Sequence, residues 1–187
     1  MFDEQKIISI IGPNILRCRP GDWEHAKRVV EWVKKLGEKR ADLPLLITAG
    51  YIHDIGWRDL FGDNKMTFAE LLRLEPQANA NSETYIREVL EETDFDVSEV
   101  ETILRLVSAA DKHESTIDND DEEIIVDADQ LSKLCIDHLN EKYEKSEWIK
   151  MYELLSRELS KRIKTEKAKS VYPQLLASLK ESIDFLR

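Results

Sequence analysis

No stretch of this sequence approaches the roughly 18 consecutive apolar residues that a membrane-spanning helix needs, which excludes an integral helical membrane protein. Positive charge is in short supply. Lys and Arg number 27 against 38 Asp and Glu, a formal net charge of -11. That balance argues against nonspecific binding of a nucleic-acid polymer and against docking on an anionic membrane, both of which want clustered cations. It leaves room for a small anion held by a few local cations or a metal. Cysteine is scarce as well. Cys18 and Cys135 are the only two and lie far apart, so a disulfide framework or a Cys-based zinc site is not expected, and a reducing compartment fits. The start MFDEQKIISIIG is acidic and lacks a signal-peptide pattern. The expectation is a soluble, cytoplasmic protein. A homodimer is compatible with it.

Glycine and proline are few, at 6 and 5, while Leu, Glu, Lys, Ile and Ala are plentiful. Little of the chain alternates with period two, and several windows repeat at helical spacing. This predicts an all-α helical bundle, and 187 residues suit a single domain over 1–187 with a core of its own. Helices are expected over about Asp3 to Cys18, broken at Gly12-Pro13; Trp23 to Leu36, capped by Asp22; and Leu43 to Ile55. Residues 57–81 read as loop with short helix. Ser82 and Ser98 read as caps of helices reaching Thr93 and Ala110. After an acidic loop from Ile117 to Glu123, helices are expected over Glu123 to Tyr143, Glu147 to Lys164 and Lys169 to Phe185.

There are 4 histidines: His25, His53, His113 and His138. His25 falls in line with Val29, Trp32, Val33 and Leu36 and so points inward. A histidine on such a face is more often a core residue bonded to a carbonyl. His53 is different, because Asp54 follows it near the C-terminal end of an apolar helix, where the dipole opposes a carboxylate. A divalent cation explains the misplaced charge. Adjacent helical residues point about 100° apart, so both can reach one ion set between them. Ala49 and Gly50, one turn earlier, leave room for a neighbouring helix. Asp127 and Asp129 sit in a run that is apolar on most sides, where a carboxylate without a partner is costly. Periodicity does not say which one turns inward.

Taken in order, His25, His53-Asp54 and Asp127-Ala128-Asp129-Gln130-Leu131 resemble the H…HD…D signature of the HD superfamily of metal-dependent phosphohydrolases. The resemblance runs from about 23 to 134, with the helices of 147–187 expected to pack on that core. It implies an HD-domain helical bundle and a metal set of His25, His53, Asp54 and Asp129, with Asp127 as a cap or an acceptor for a ligand imidazole. Two-metal members carry a further His where this chain has Asn79-Ala80-Asn81-Ser82, which implies one divalent ion here. The apolar run Ile103 to Ala110 before Asp111-Lys112-His113 is similar to a marker of small family members. It implies His113 as a proton donor or substrate contact. His138, which follows Asp137, reads as a core or groove histidine.

The chemistry implied is hydrolysis of a small phosphorylated metabolite, with a nucleotide favoured. Two imidazoles and two carboxylates suit Mn, Fe, Co, Ni or Zn, and Mg less well. Such an ion polarises a phosphoryl group and acidifies water. Arg58 and Lys112 are the cations nearest the motif residues and are expected to hold phosphate oxygens, with Arg17 and Arg19 as further candidates. Asp59 is the nearest acid after the HD pair. The competing reading is a non-catalytic metal- or nucleotide-sensing domain on the same fold.

Overall fold

In the computed structural model the described residues are 2–62, 64–111 and 119–186, with the side chain of residue 111 left aside. Lys112 and His113 lie outside them. Nine α-helices and no β-strand are found among the described residues, an all-α fold as the composition predicts. None of these helices is long and apolar enough to cross a membrane.

Helix α1 (Glu4–Ile15) starts at Asp3, whose carboxylate accepts the N–H groups of Gln5 and Lys6. It is not broken at Gly12-Pro13. Pro13 removes one ladder bond, to the Ser9 carbonyl, but the helix continues past it and closes with the N–H of Leu16 on the Gly12 carbonyl. Helix α2 (Asp22–Leu36) is capped by Gly21, with φ at 78°, and not by Asp22, which is turned inward and wholly buried. Helix α3 (Leu43–Ile52) ends three residues short of the expected Ile55. His53 and Asp54 occupy its exit, and a 3-10 turn follows over Ile55–Trp57.

The region expected to be mostly loop holds a 23-residue helix, α4 (Phe68–Leu90). Its start is a capping box. The Thr67 hydroxyl accepts from the N–H of Glu70 while the Glu70 carboxylate accepts from the N–H of Thr67. Ser82 is therefore no cap. It lies mid-helix and returns its hydroxyl proton to the Ala78 carbonyl. Helix α5 (Val97–Asp111) is likewise capped earlier than expected, two residues before Ser98, by Asp96, which accepts the N–H groups of Ser98 and Glu99. The acidic run from Asp120 opens helix α6 (Asp120–Ser132), so four carboxylates sit in a first turn where the dipole favours them. The helix expected over 123–143 breaks after Ser132 and resumes as α7 (Ile136–Lys142). Helices α8 (Trp148–Arg162) and α9 (Glu166–Leu186) complete the chain.

Helix α3 is buried nearly all round, as its apolar composition requires, and α6 is buried too although it carries Asp127, Asp129 and Gln130 inward. Helix α2 packs against both, and α5 covers their other side. The close fit of α2 on α3 depends on Gly50, where a Cβ would lie 3.0 Å from Val30 and 3.4 Å from Val29. A second apolar cluster joins Leu131 and Leu134 to α7, α8 and α9. Asp127 ties the two parts together: its carboxylate accepts the N–H groups of Lys164 and Thr165 at 2.8 and 2.7 Å, just ahead of α9. At Gly56 the 3-10 turn presses on α4 so closely that a Cβ would lie 2.1 Å from the Ala78 carbonyl oxygen.

Candidate metal centre

Three helices bring four polar side chains together, three of them around the His25 imidazole. His25 comes from α2, His53 and Asp54 from the exit of α3, and Asp129 from α6. All but the edge of Asp54 are withdrawn from solvent. His25 Nε2 lies 3.1 Å from His53 Nε2, 3.2 Å from Asp129 Oδ1 and 3.8 Å from Asp54 Oδ2. His53 Nε2 lies 3.7 Å from each of those oxygens. A His25, His53 and Asp54 group spaced this way could hold a metal ion.

Hydrogen bonding on the far side of each ring decides what these nitrogens offer. His53 Nδ1 is 2.9 Å from the Gly50 carbonyl, which can only accept, so Nδ1 carries the proton. The Ser132 hydroxyl gives its proton to the Asp129 carbonyl at 2.7 Å and so accepts from His25 Nδ1 at 3.1 Å. Both Nε2 atoms are therefore bare lone pairs, and they face each other. Burial, followed by Lys142, pushes His25 well below its usual range and keeps it neutral. Asp129 Oδ2 accepts from Gln130 Nε2 and Lys133 Nζ at 2.8 and 2.6 Å. Its Oδ1 is buried against the imidazoles with no donor at all. Buried acceptors in mutual contact repel and go unsatisfied. A cation between them turns each clash into a bond. On this ground the residues fit a divalent metal, with nitrogen and oxygen donors suited to a first-row ion.

The charge around the cluster is arranged in pairs. Burial opposes ionisation of Asp54, but Arg19 first and then Lys142 hold its carboxyl well below the usual range. Arg19 pairs through Nη2 with Asp54 Oδ2 at 2.7 Å and donates from Nε to Asp22 at 3.0 Å. Lys142 reaches Asp54 Oδ2 at 3.2 Å and pairs with Asp22 Oδ1. The Arg19 guanidinium also stacks on Trp57, 4.0 Å from the ring centre. For Asp129 burial again opposes the charge, and Lys133 is foremost in restoring it.

The cluster opens into a cavity of about 280 Å³. Arg19, Lys133 and Lys142 line it beside the candidate ligands, and Met151, Leu154, Leu155 and Leu159 of α8 form an apolar wall. His138 lines it too, buried, with its ring centre 5.0 Å from that of His25 and with Nδ1 unpartnered.

The other residues singled out in the sequence fall differently. Arg58 does not line the cavity; it donates to Asn14 Oδ1 and to the Glu88 carboxylate of α4 and stacks on Tyr85. Asp59 pairs with Arg17 on the surface. Asp127 caps the approach to α9 and touches no imidazole; Ser132 takes that place. Of the cations named from sequence, Arg19 alone is brought to the cavity among the described residues. Lys133 and Lys142 were not legible: Lys133 is one helical turn past Asp129, a spacing that could have pointed to it, whereas Lys142 reaches Asp54 across 88 residues. His113 and Lys112 fall outside the described residues.

Neither a curated protein nor a solved structure matches the chain. A family model does, that of the HD domain, over residues 22–134. The match takes in His25, His53, Asp54 and Asp129 and covers more than half of the sequence. Members of that family are mostly metal-dependent phosphohydrolases. The three convergent helices and the matched segment lead to one conclusion: this chain belongs to the HD domain family.

Proposed function

We propose that this protein is a metal-dependent phosphohydrolase acting on a small phosphorylated metabolite, with a nucleotide favoured, through one divalent ion held by His25, His53, Asp54 and Asp129. The observation that carries the reading is the meeting of two proton-free Nε2 atoms with the donorless Oδ1 of buried Asp129. A chain that folded only for stability would fill this point with apolar groups or hydrogen-bonded pairs.

Bound there, the ion supplies Lewis acidity toward a phosphoryl oxygen and lowers the pKa of a water. The remaining work belongs to the chain. Ser132 and Gly50 fix the two imidazoles in the tautomers that present Nε2. Lys133 and Gln130 hold Asp129 by its outer oxygen and leave the inner one for the cation. The wall of α8 keeps bulk water from one side of the cavity. His113, through the family resemblance alone, is the proposed proton donor to the leaving oxygen, and Lys112 a proposed phosphate contact.

An aryl phosphate assayed with added Mn, followed by nucleotides and sugar phosphates, tests this reading. Turnover that needs metal, and that falls roughly 100-fold in His113→Ala with metal retained, is the expected result. Tight nucleotide binding with no turnover under any first-row metal would replace it by the sensing-domain reading.

A further inference from the structure

Among the described residues, charge around the cavity is balanced without a metal. Arg19, Lys133 and Lys142 of its lining carry three positive charges, and Asp54 and Asp129 of the lining with Asp22 behind it carry three negative, with every partner in direct contact. Farther along, Lys161 and Arg162 line the cavity together with Glu75 and Glu158, again two against two. The inner groups are withdrawn from water. The side chains of Arg19 and Lys142 are 9% and 5% exposed, and Asp22 is wholly buried. In such surroundings a net charge is expensive unless something cancels it. A divalent ion therefore leaves the site two charges in excess, and the ligand that restores neutrality is a dianion.

The same two cations also have donors to spare. A guanidinium offers five N–H groups and an ammonium three. Arg19 spends Nε on Asp22 and Nη2 on Asp54, which leaves Nη1. Lys142 spends its contacts on Asp22 and Asp54 and keeps a third proton. Trp57 beneath the guanidinium holds it in place, and the N–H of Met66, donating to the Lys142 carbonyl at 2.9 Å, anchors the end of α7. Both residues line the cavity, and both lie outside the segment matched to the family, 22–134.

We propose that Arg19 and Lys142 receive the phosphoryl oxygens of the substrate, and that the charge of the metal-loaded cavity selects the dianionic phosphate of a monoester over the monoanionic phosphate of a diester. This rests on the phosphohydrolase reading above and narrows its substrate class. Asp22 has a part in it. Its carboxylate pairs with both cations, and its charge offsets theirs and so sets how strongly they attract an anion.

The test is calorimetric titration of the full chain, with and without Mn, using inorganic phosphate and dimethyl phosphate at about pH 8, where phosphate is mainly a dianion. The metal-loaded protein should bind phosphate at least about 10-fold more tightly than dimethyl phosphate, and the metal-free protein should bind both weakly. Lys142→Gln and Arg19→Gln should each retain Mn yet lose roughly 10-fold in phosphate affinity. Asp22→Asn keeps both cations and removes one negative charge, so it should bind phosphate more tightly. A merely structural role for Asp22 predicts weaker binding instead, and it keeps the proposal open to refutation if the cation variants do not fold. Equal affinity for phosphate and dimethyl phosphate in a protein that does bind Mn would overturn the selection proposed here and leave the metal reading standing. A protein that binds no divalent ion would overturn both.

Discussion

The Nε2 atoms of His25 and His53 face each other at 3.1 Å, and each ring is bonded on its far side so that this nitrogen has no proton. The contact is unfavourable without a cation and favourable with one. Chelation should therefore lower the melting temperature, and Mn or Zn should restore it. At metal concentrations near 1,000 times Kd the gain is about 4 kcal/mol. Thermal melts with and without chelator check this; identical melts would mean that the lone pairs are accommodated by the protein alone.

Ser132 fixes the tautomer of His25, since its hydroxyl accepts from Nδ1. Ser132→Ala should leave the fold intact and weaken metal binding by about 10- to 100-fold, the usual cost of losing an outer partner of a ligand imidazole. Competition with a coloured chelator measures it, and unchanged affinity would show that Ser132 only packs.

Asp127 and Asp129 are two residues apart and should fail in different ways. Asp129→Asn should lose metal while remaining folded. Asp127→Ala should keep metal and lose about 1–2 kcal/mol of stability, because two N–H groups ahead of α9 lose their acceptor. Metal analysis beside urea denaturation separates the two effects, and the opposite pattern would shift the ligand register by two residues.

That register shows how far the sequence could be read. His25, His53 and Asp54 stand out by type and order, and an inward face or a misplaced charge flags each of them. Asp129 could be told from Asp127 only through family resemblance, because α6 is buried on every side and periodicity has no solvent face to measure against. Helix α4 escaped for a local reason. Pro76 and the polar run around Asn79 hide its pattern, although the Thr67 to Glu70 capping box was there to be seen. Arg58 is near the motif in sequence, but nearness in sequence does not set direction, and its guanidinium pairs with Glu88 instead. Lys142 is the opposite case: no local signal connects a lysine at the end of α7 with Asp54.

Helix α6 is tied to α5 by Arg105, which donates to Asp121 at 2.5 Å and Glu122 at 2.7 Å. The bond from Arg105 holds the Asp121 carboxyl below its ordinary value of 3.8. A depressed carboxyl contributes stability above its unfolded pKa and loses it as pH falls through the folded one. Arg105→Gln should thus cost about 0.5–1 kcal/mol at pH 7, a figure that already discounts the part-exposed guanidinium for screening. The gap to wild type should hold down to about pH 4 and close below it. Urea titrations along a pH series check this, and a gap that widens on acidification would contradict the sign.

The most direct measurement is the metal content of the purified wild-type protein and of Asp54→Ala, each shown to be helical by circular dichroism. The account predicts about one divalent ion per chain in the wild type and almost none in the variant, because Asp54 and the two imidazoles close on a single point. A folded Asp54→Ala that retains a full equivalent of metal would contradict it.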